Sequence, residues 1–107
     1  MDTMNGMKRS CYCGEVTLEM SEVTVGGFTQ RVRDKGGIIF IDVRDRSGIV
    51  QLVFDETTEK SVFDKAKTVR SEDVLMAKGA VRARESVNND IKTGGLEILV
   101  SELRILS

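Results

Sequence analysis

A small all-β domain closed into a barrel, carrying one short helix, is the fold that three observations predict for this 107-residue chain. Apolar and polar residues alternate along five separate runs, the period becomes helical only once, and a pair of glycines breaks the phase of the first run.

That first run, Glu22 to Arg33 (EVTVGGFTQRVR), begins in period two and slips at Gly26-Gly27, as a strand does where it accommodates a bulge or sharp coil. Asp34-Lys35-Gly36-Gly37 marks a turn into a second strand, Ile38 to Asp45. Its odd members Ile39, Ile41 and Val43 share one face, which puts Ile38, Phe40, Asp42 and Arg44 on the other. Arg46-Ser47-Gly48 turns the chain into Ile49 to Phe54, where Val50, Leu52 and Phe54 form the apolar face and Gln51 points away from it. Val62, Phe63, Ala66 and Val69 are then spaced as on a helix, predicting one from about Glu59 to Val69. Thr57 or Thr58 would serve as its N-cap, with Lys67 and Arg70 near its C-terminal end. Asp73 to Arg84 returns to alternation, with Leu75, Ala77, Gly79, Val81 and Ala83 opposite Lys78, Arg82 and Arg84. A polar loop from Glu85 to Gly95 precedes the last strand, Leu96 to Leu106.

Three strands, a helix and two strands is the element order of the five-stranded OB-fold Greek-key barrel, with its helix between strands 3 and 4. Periodicity does not prove closure, and an open sheet covered by one helix fits the same pattern. Residues Met1 to Met7, with Met at 1, 4 and 7, read as a leader or appended remnant outside the fold, leaving 8–107 as a single domain.

Composition narrows function more by exclusion than by signal. No run approaches the roughly 18 to 20 apolar residues of a membrane span, and the N-terminus lacks a signal-peptide pattern, so a cytoplasmic protein is expected. Cys11 and Cys13 are too close for a disulfide framework and lack the second pair of a structural zinc site. With no His, the chain lacks the usual general base and the commonest metal ligand; it also has no GxxxxGK loop. No catalytic residue and no metal ligand is therefore assigned. The net charge of −1 argues against binding nucleic acid by bulk attraction. Arg31, Arg33, Lys35, Arg44 and Arg46, with an unopposed second cluster at Lys78, Arg82 and Arg84, would form one positive patch or else serve as solvated strand charges. Phe40, displaced to the non-core face beside Asp42 and Arg44, either stacks on an unpaired base or packs at the barrel mouth under the long loop. Gln51 offers an amide that both donates to and accepts from a base edge.

At these residues the sequence resembles a known family. The run Gln30 to Gln51 (QRVRDKGGIIFIDVRDRSGIVQ) is closely similar to the start of bacterial-type aspartyl-tRNA synthetases. Tyr12-Cys13-Gly14-Glu15, Gly79-Ala80-Val81-Arg82-Ala83-Arg84 and Thr93-Gly94-Gly95-Leu96-Glu97 extend the likeness over nearly the whole chain from Lys8 onward. The resemblance implies an N-terminal anticodon-binding OB-fold domain. It implies that Phe40 stacks on the central anticodon base and that Arg33 and Gln51 contact anticodon bases. It further implies that Glu97 accepts hydrogen bonds from a guanine-like first base, and that Arg82 and Arg84 lie near the loop and its backbone. Val32 replaces a common Arg and Phe28 a common Trp; Lys35, at a turn position bearing on acceptance of tRNA-Asn, matches neither residue expected there.

By the same resemblance the parent protein is an aspartate-tRNA ligase, a class II enzyme using ATP and Mg and dimerising through its catalytic domain. Its partner is tRNA-Asp, with tRNA-Asn as a second candidate. No class II motif occurs here, so an excised domain or truncated piece is expected, without cofactor and without aminoacylation activity.

Overall fold

Alternating β-branched residues favour pleated strands with one buried face, and the computed structural model, which describes residues 2–3 and 6–107, forms five of them. They are β1 (Glu22–Asp34), β2 (Ile39–Asp45), β3 (Gly48–Phe54), β4 (Val74–Ala83) and β5 (Leu96–Ile105). The single α-helix, α1 (Lys60–Ala66), lies between β3 and β4, and a 3-10 turn at Cys13–Glu15 precedes the barrel. The strands close in the order β1-β2-β3-β5-β4. All neighbours are antiparallel except β3 and β5, which run parallel through Leu52↔Ile98 and Val53↔Leu99. This is the expected closed barrel, not the open sheet.

β1 makes the closure possible by serving two partners. Its first half, Glu22 to Phe28, pairs with β4, and its second half, Phe28 to Asp34, pairs with β2. The switch falls beside the glycines: a Cβ on Gly27 would collide with the Arg44 carbonyl, so only glycine lets the two backbones approach there. The register shift itself lies farther along, between Thr29 and Arg31, and not at Gly26-Gly27 where the phase break suggested it.

Inside the barrel Val25, Ile39, Ile41, Val43, Val50, Leu52, Phe54, Leu75, Ile98 and Val100 are nearly or wholly buried, as the alternation predicts. α1 closes one end with Ala66, while Val62 and Phe63 pack partly against the core. The helix is shorter than expected because the chain tightens after Ala66: the Thr68 amide and hydroxyl both donate to the Lys65 carbonyl. Neither Thr57 nor Thr58 is its N-cap. That position is Glu59, and both threonines are engaged with Asp55 instead.

Two positions among the first seven residues pack against the barrel despite the expectation that this stretch stands outside it. Met7 is buried, and Asp2 accepts from the Lys65 ammonium and the Ile105 amide at 2.9 Å each. No helix among the described residues is long and apolar enough to cross a membrane.

Candidate nucleic-acid interface

Outward-facing residues of β1, β2, β3, β4 and β5 meet in one groove of about 580 Å³, bordered by the β1-β2 turn and the start of the 85–95 loop. All six residues singled out in the sequence line it: Arg33, Phe40, Gln51, Arg82, Arg84 and Glu97. Register explains why. Arg33 faces Phe40 across β1 and β2, and Arg82 faces Glu97 across β4 and β5, while the parallel β3–β5 pairing brings Gln51 beside the start of β5.

These side chains form one hydrogen-bonded line. An Arg33 terminal nitrogen donates to Gln51 Oε1 at 2.8 Å, and Gln51 Nε2 donates to Glu97 Oε1 at 2.9 Å. Arg82 Nε donates to Glu97 Oε2 at 2.8 Å, and a terminal nitrogen of Arg82 lies 3.5 Å from Asp55 Oδ2. The arrangement leaves Gln51 a single sensible orientation, because a flipped amide would set its NH2 against a guanidinium and its oxygen against a carboxylate. Gln51 and Glu97 are buried at 4% and 8% exposure, so Gln51 does point away from the core but not into open solvent. Val53, next on the same face, is buried as well, which alternation alone did not anticipate.

Phe40 is half-buried and carries the Arg33 guanidinium 5.0 Å from its ring centroid. Phe40 lies along the groove wall. Arg33 Nε is buried without a hydrogen-bond partner among the described residues, an uncommon state for a guanidinium nitrogen.

Charge in the groove balances. Arg33, Lys35, Arg82 and Arg84 are matched in number by Asp55, Glu56, Glu85 and Glu97. Burial opposes ionisation of Asp55, but the Thr57 hydroxyl and amide and the nearby Arg82 outweigh it and hold its carboxyl below the ordinary range. Burial likewise works against the Arg82 charge, yet Glu97 and then Asp55 raise its pKa above the usual value. The single positive patch considered from the sequence does not form. Arg44 bonds Gln30, Arg46 and Arg9 flank the Tyr12 ring at 4.5 and 4.9 Å, and Lys78 lies 3.7 Å from Glu22. Nor is Arg82 unopposed, since its partners come from β5 and the end of β3. Arg84 and Lys35 have no carboxylate within 4.0 Å among the described residues.

Asp55 was missed in the sequence. Its signal there was the Asp-Glu-Thr-Thr run after β3, which reads as a helix approach and not as a site. Cys11 and Cys13 are free thiols. Burial, then the adjacent Asp45 charge, push the Cys13 thiol well above its ordinary pKa, which disfavours the thiolate.

Comparison with known proteins points the same way. The tRNA anti-codon family model, described as an OB-fold nucleic acid binding domain, matches residues 23–106. The chain is 54% identical over 106 residues to the aspartate-tRNA(Asp/Asn) ligase of Symbiobacterium thermophilum, covering 94% of this chain and 18% of that protein. It is 49% identical over 110 residues to the ligase of the same name from Thermoanaerobacter pseudethanolicus, covering 99% and 19%. Among solved structures it resembles an asparaginyl-tRNA synthetase from Pyrococcus horikoshii complexed with asparaginyl-adenylate. That match has a TM-score of 0.77 at 29% identity and covers 94% of this chain and 23% of the other. The chain thus spans about a fifth of the length of the curated relatives it matches.

Proposed function

Because the chain belongs to the tRNA anti-codon family of OB-fold nucleic acid binding domains, we propose that its groove reads the unpaired bases of an anticodon loop on behalf of an aspartate-tRNA ligase. One observation carries this reading: an oriented line of donors and acceptors, Arg33-Gln51-Glu97-Arg82, buried at its centre in Gln51 and Glu97, runs beside an aromatic ring in a groove with no net charge. A surface meant to attract RNA indiscriminately would carry excess positive charge; one meant to distinguish bases needs fixed edges and a stacking plane.

In this reading Phe40 stacks on the central base, and Gln51 and Arg33 meet base edges. The unpartnered Arg33 Nε supplies a donor that a base carbonyl can satisfy. Glu97 accepts from a guanine-like base. Arg84, with no carboxylate near it, is placed for the phosphate backbone. The parent enzyme acts on tRNA-Asp in the cytoplasm, works as a dimer and draws on ATP and Mg. The residues here do not fit ATP: Gly94 serves a close approach to the Asn88 carbonyl, and Gly94-Gly95 opens a strand and not a helix. Aminoacylation accordingly lies outside this chain's chemistry. Lys35 at the groove rim is the residue through which acceptance of tRNA-Asn would be tuned.

Fluorescence titration of labelled hairpins carrying a GUC or a scrambled loop, at several salt concentrations, tests the proposal. Tighter binding of the GUC loop at every salt concentration is expected. Equal affinity for the two loops sinks the base-reading assignment and favours sequence-independent single-strand binding.

A further inference from the structure

Of the groove residues, Asp55 is the one whose geometry is settled from outside the groove. It immediately follows β3, and its Oδ1 accepts from both the Thr57 amide, at 2.9 Å, and the Thr57 hydroxyl, at 2.6 Å. Its own amide donates to Thr58 Oγ1 at 2.9 Å. Two hydrogen bonds thus lock the carboxylate and a third anchors its backbone, leaving Oδ2 aimed at Arg82. Arg82 is 42% exposed and would otherwise be free to swing; the side chains of Asp55 and Glu97 are only 12% and 10% exposed.

We infer that Asp55 is a positioning residue for base selectivity: through Arg82 it holds the Glu97 carboxylate, and through Glu97 the Gln51 amide, without itself touching a base. This rests on the base-reading assignment proposed above. Arg82 bridges two carboxylates, so its charge is neutralised inside the protein and does not serve the RNA backbone. Removing the Asp55 charge leaves Arg82 held by Glu97 alone, so its terminal nitrogens can swing toward phosphate and the donor at Glu97 Oε2 loosens. The consequence runs opposite to that of an ordinary structural lesion: binding to any RNA strengthens while discrimination between RNAs weakens.

Asp55→Asn in the full 107-residue chain is the sharpest test, because the amide keeps an oxygen for Thr57 but presents an NH2 to Arg82. The GUC-over-scrambled affinity ratio is expected to fall about 3- to 10-fold, as for loss of one coupled partner in a polar network. Affinity for the scrambled loop rises, and its salt dependence steepens. Thr57→Val, which removes one of the two bonds that orient the carboxylate but keeps its charge, should lower the ratio by less than Asp55→Asn does. In an Arg82→Ala background Asp55→Asn should lower the ratio no further. An unchanged ratio in Asp55→Asn, an equal loss in Thr57→Val, or a further loss on top of Arg82→Ala each overturns the positioning role. If wild-type chain itself fails to distinguish the loops, base reading falls and this role falls with it, an outcome visible before any variant is measured.

Discussion

The two faces of β2 and β3 belong to the same strands yet obey different rules. Inward, Ile39, Ile41, Val43, Val50, Leu52 and Phe54 are apolar and at most 1% exposed. Outward, Phe40, Gln51 and Val53 border a polar groove, and Gln51 owes its order to hydrogen bonds reaching β1 and β5. The inner face gains from removing area from water, a term indifferent to orientation. The outer face gains little net stability from its bonds, but each fixes a direction. Stability and selectivity should therefore separate by face.

The largest effect expected is on the inner face. Ile41→Ala should cost about 2 to 5 kcal/mol in a denaturant melt, a large part of a small domain's stability. What remains folded should discriminate loops as before; a loss under about 1 kcal/mol would mean the inner face is not the stabilising one. Phe40→Ala makes the converse case. Its melt should stay near wild type while affinity for the GUC hairpin drops by about 1 to 3 kcal/mol with little change in salt slope. An equal drop on the scrambled loop would break the contrast.

A third variant probes a polar group that lies among the barrel's buried residues without a partner. Thr29 Oγ1 is buried with no hydrogen bond among the described residues, whereas Gln51, equally buried, has two. Thr29→Val should therefore stabilise the chain by about 1 kcal/mol in thermal or denaturant melts, and a destabilisation would show that the hydroxyl is satisfied after all. Arg84→Ala should reduce the slope of log affinity against log salt by about 0.7, one phosphate's worth on a single strand, while Arg82→Ala should not. Identical slopes for the two variants would erase the distinction drawn between a free and a neutralised arginine.

The smallest effect concerns acid. Burial favours protonation of Asp45, but the Ser47 hydroxyl and the Cys13 and Ser47 amides outweigh it and hold its carboxyl below the ordinary value. A depressed folded-state pKa contributes stability that is present above the unfolded pKa of about 3.9 and fades as pH falls through the folded value. Asp45→Asn should lower stability modestly at neutral pH and converge with wild type below about pH 4, flattening the acid limb of a stability-against-pH curve, which melts at stepped pH would reveal.

The sequence by itself determined the strands, their inward phase and the position of the helix, because alternation is a local property and burial of one face enforces it. Closure was only suggested, through Gly26-Gly27; the required close approach of Gly27 to Arg44 is a long-range fact. The six groove residues were legible partly from phase, which displaced Phe40 and Gln51 from the core, and partly from family likeness, on which Glu97 wholly depended. What only the tertiary structure decided is how those residues are paired. Strand pairing joins Arg82 to Glu97, separated by 15 positions, Gln51 to Glu97, separated by 46, and Arg82 to Asp55, separated by 27. Basic residues that looked unopposed along the chain acquire acids from other strands in space, turning an apparent positive patch into a neutral and oriented groove. Coulomb and hydrogen-bond energies depend on distance through space, and a sequence records distance only along the chain.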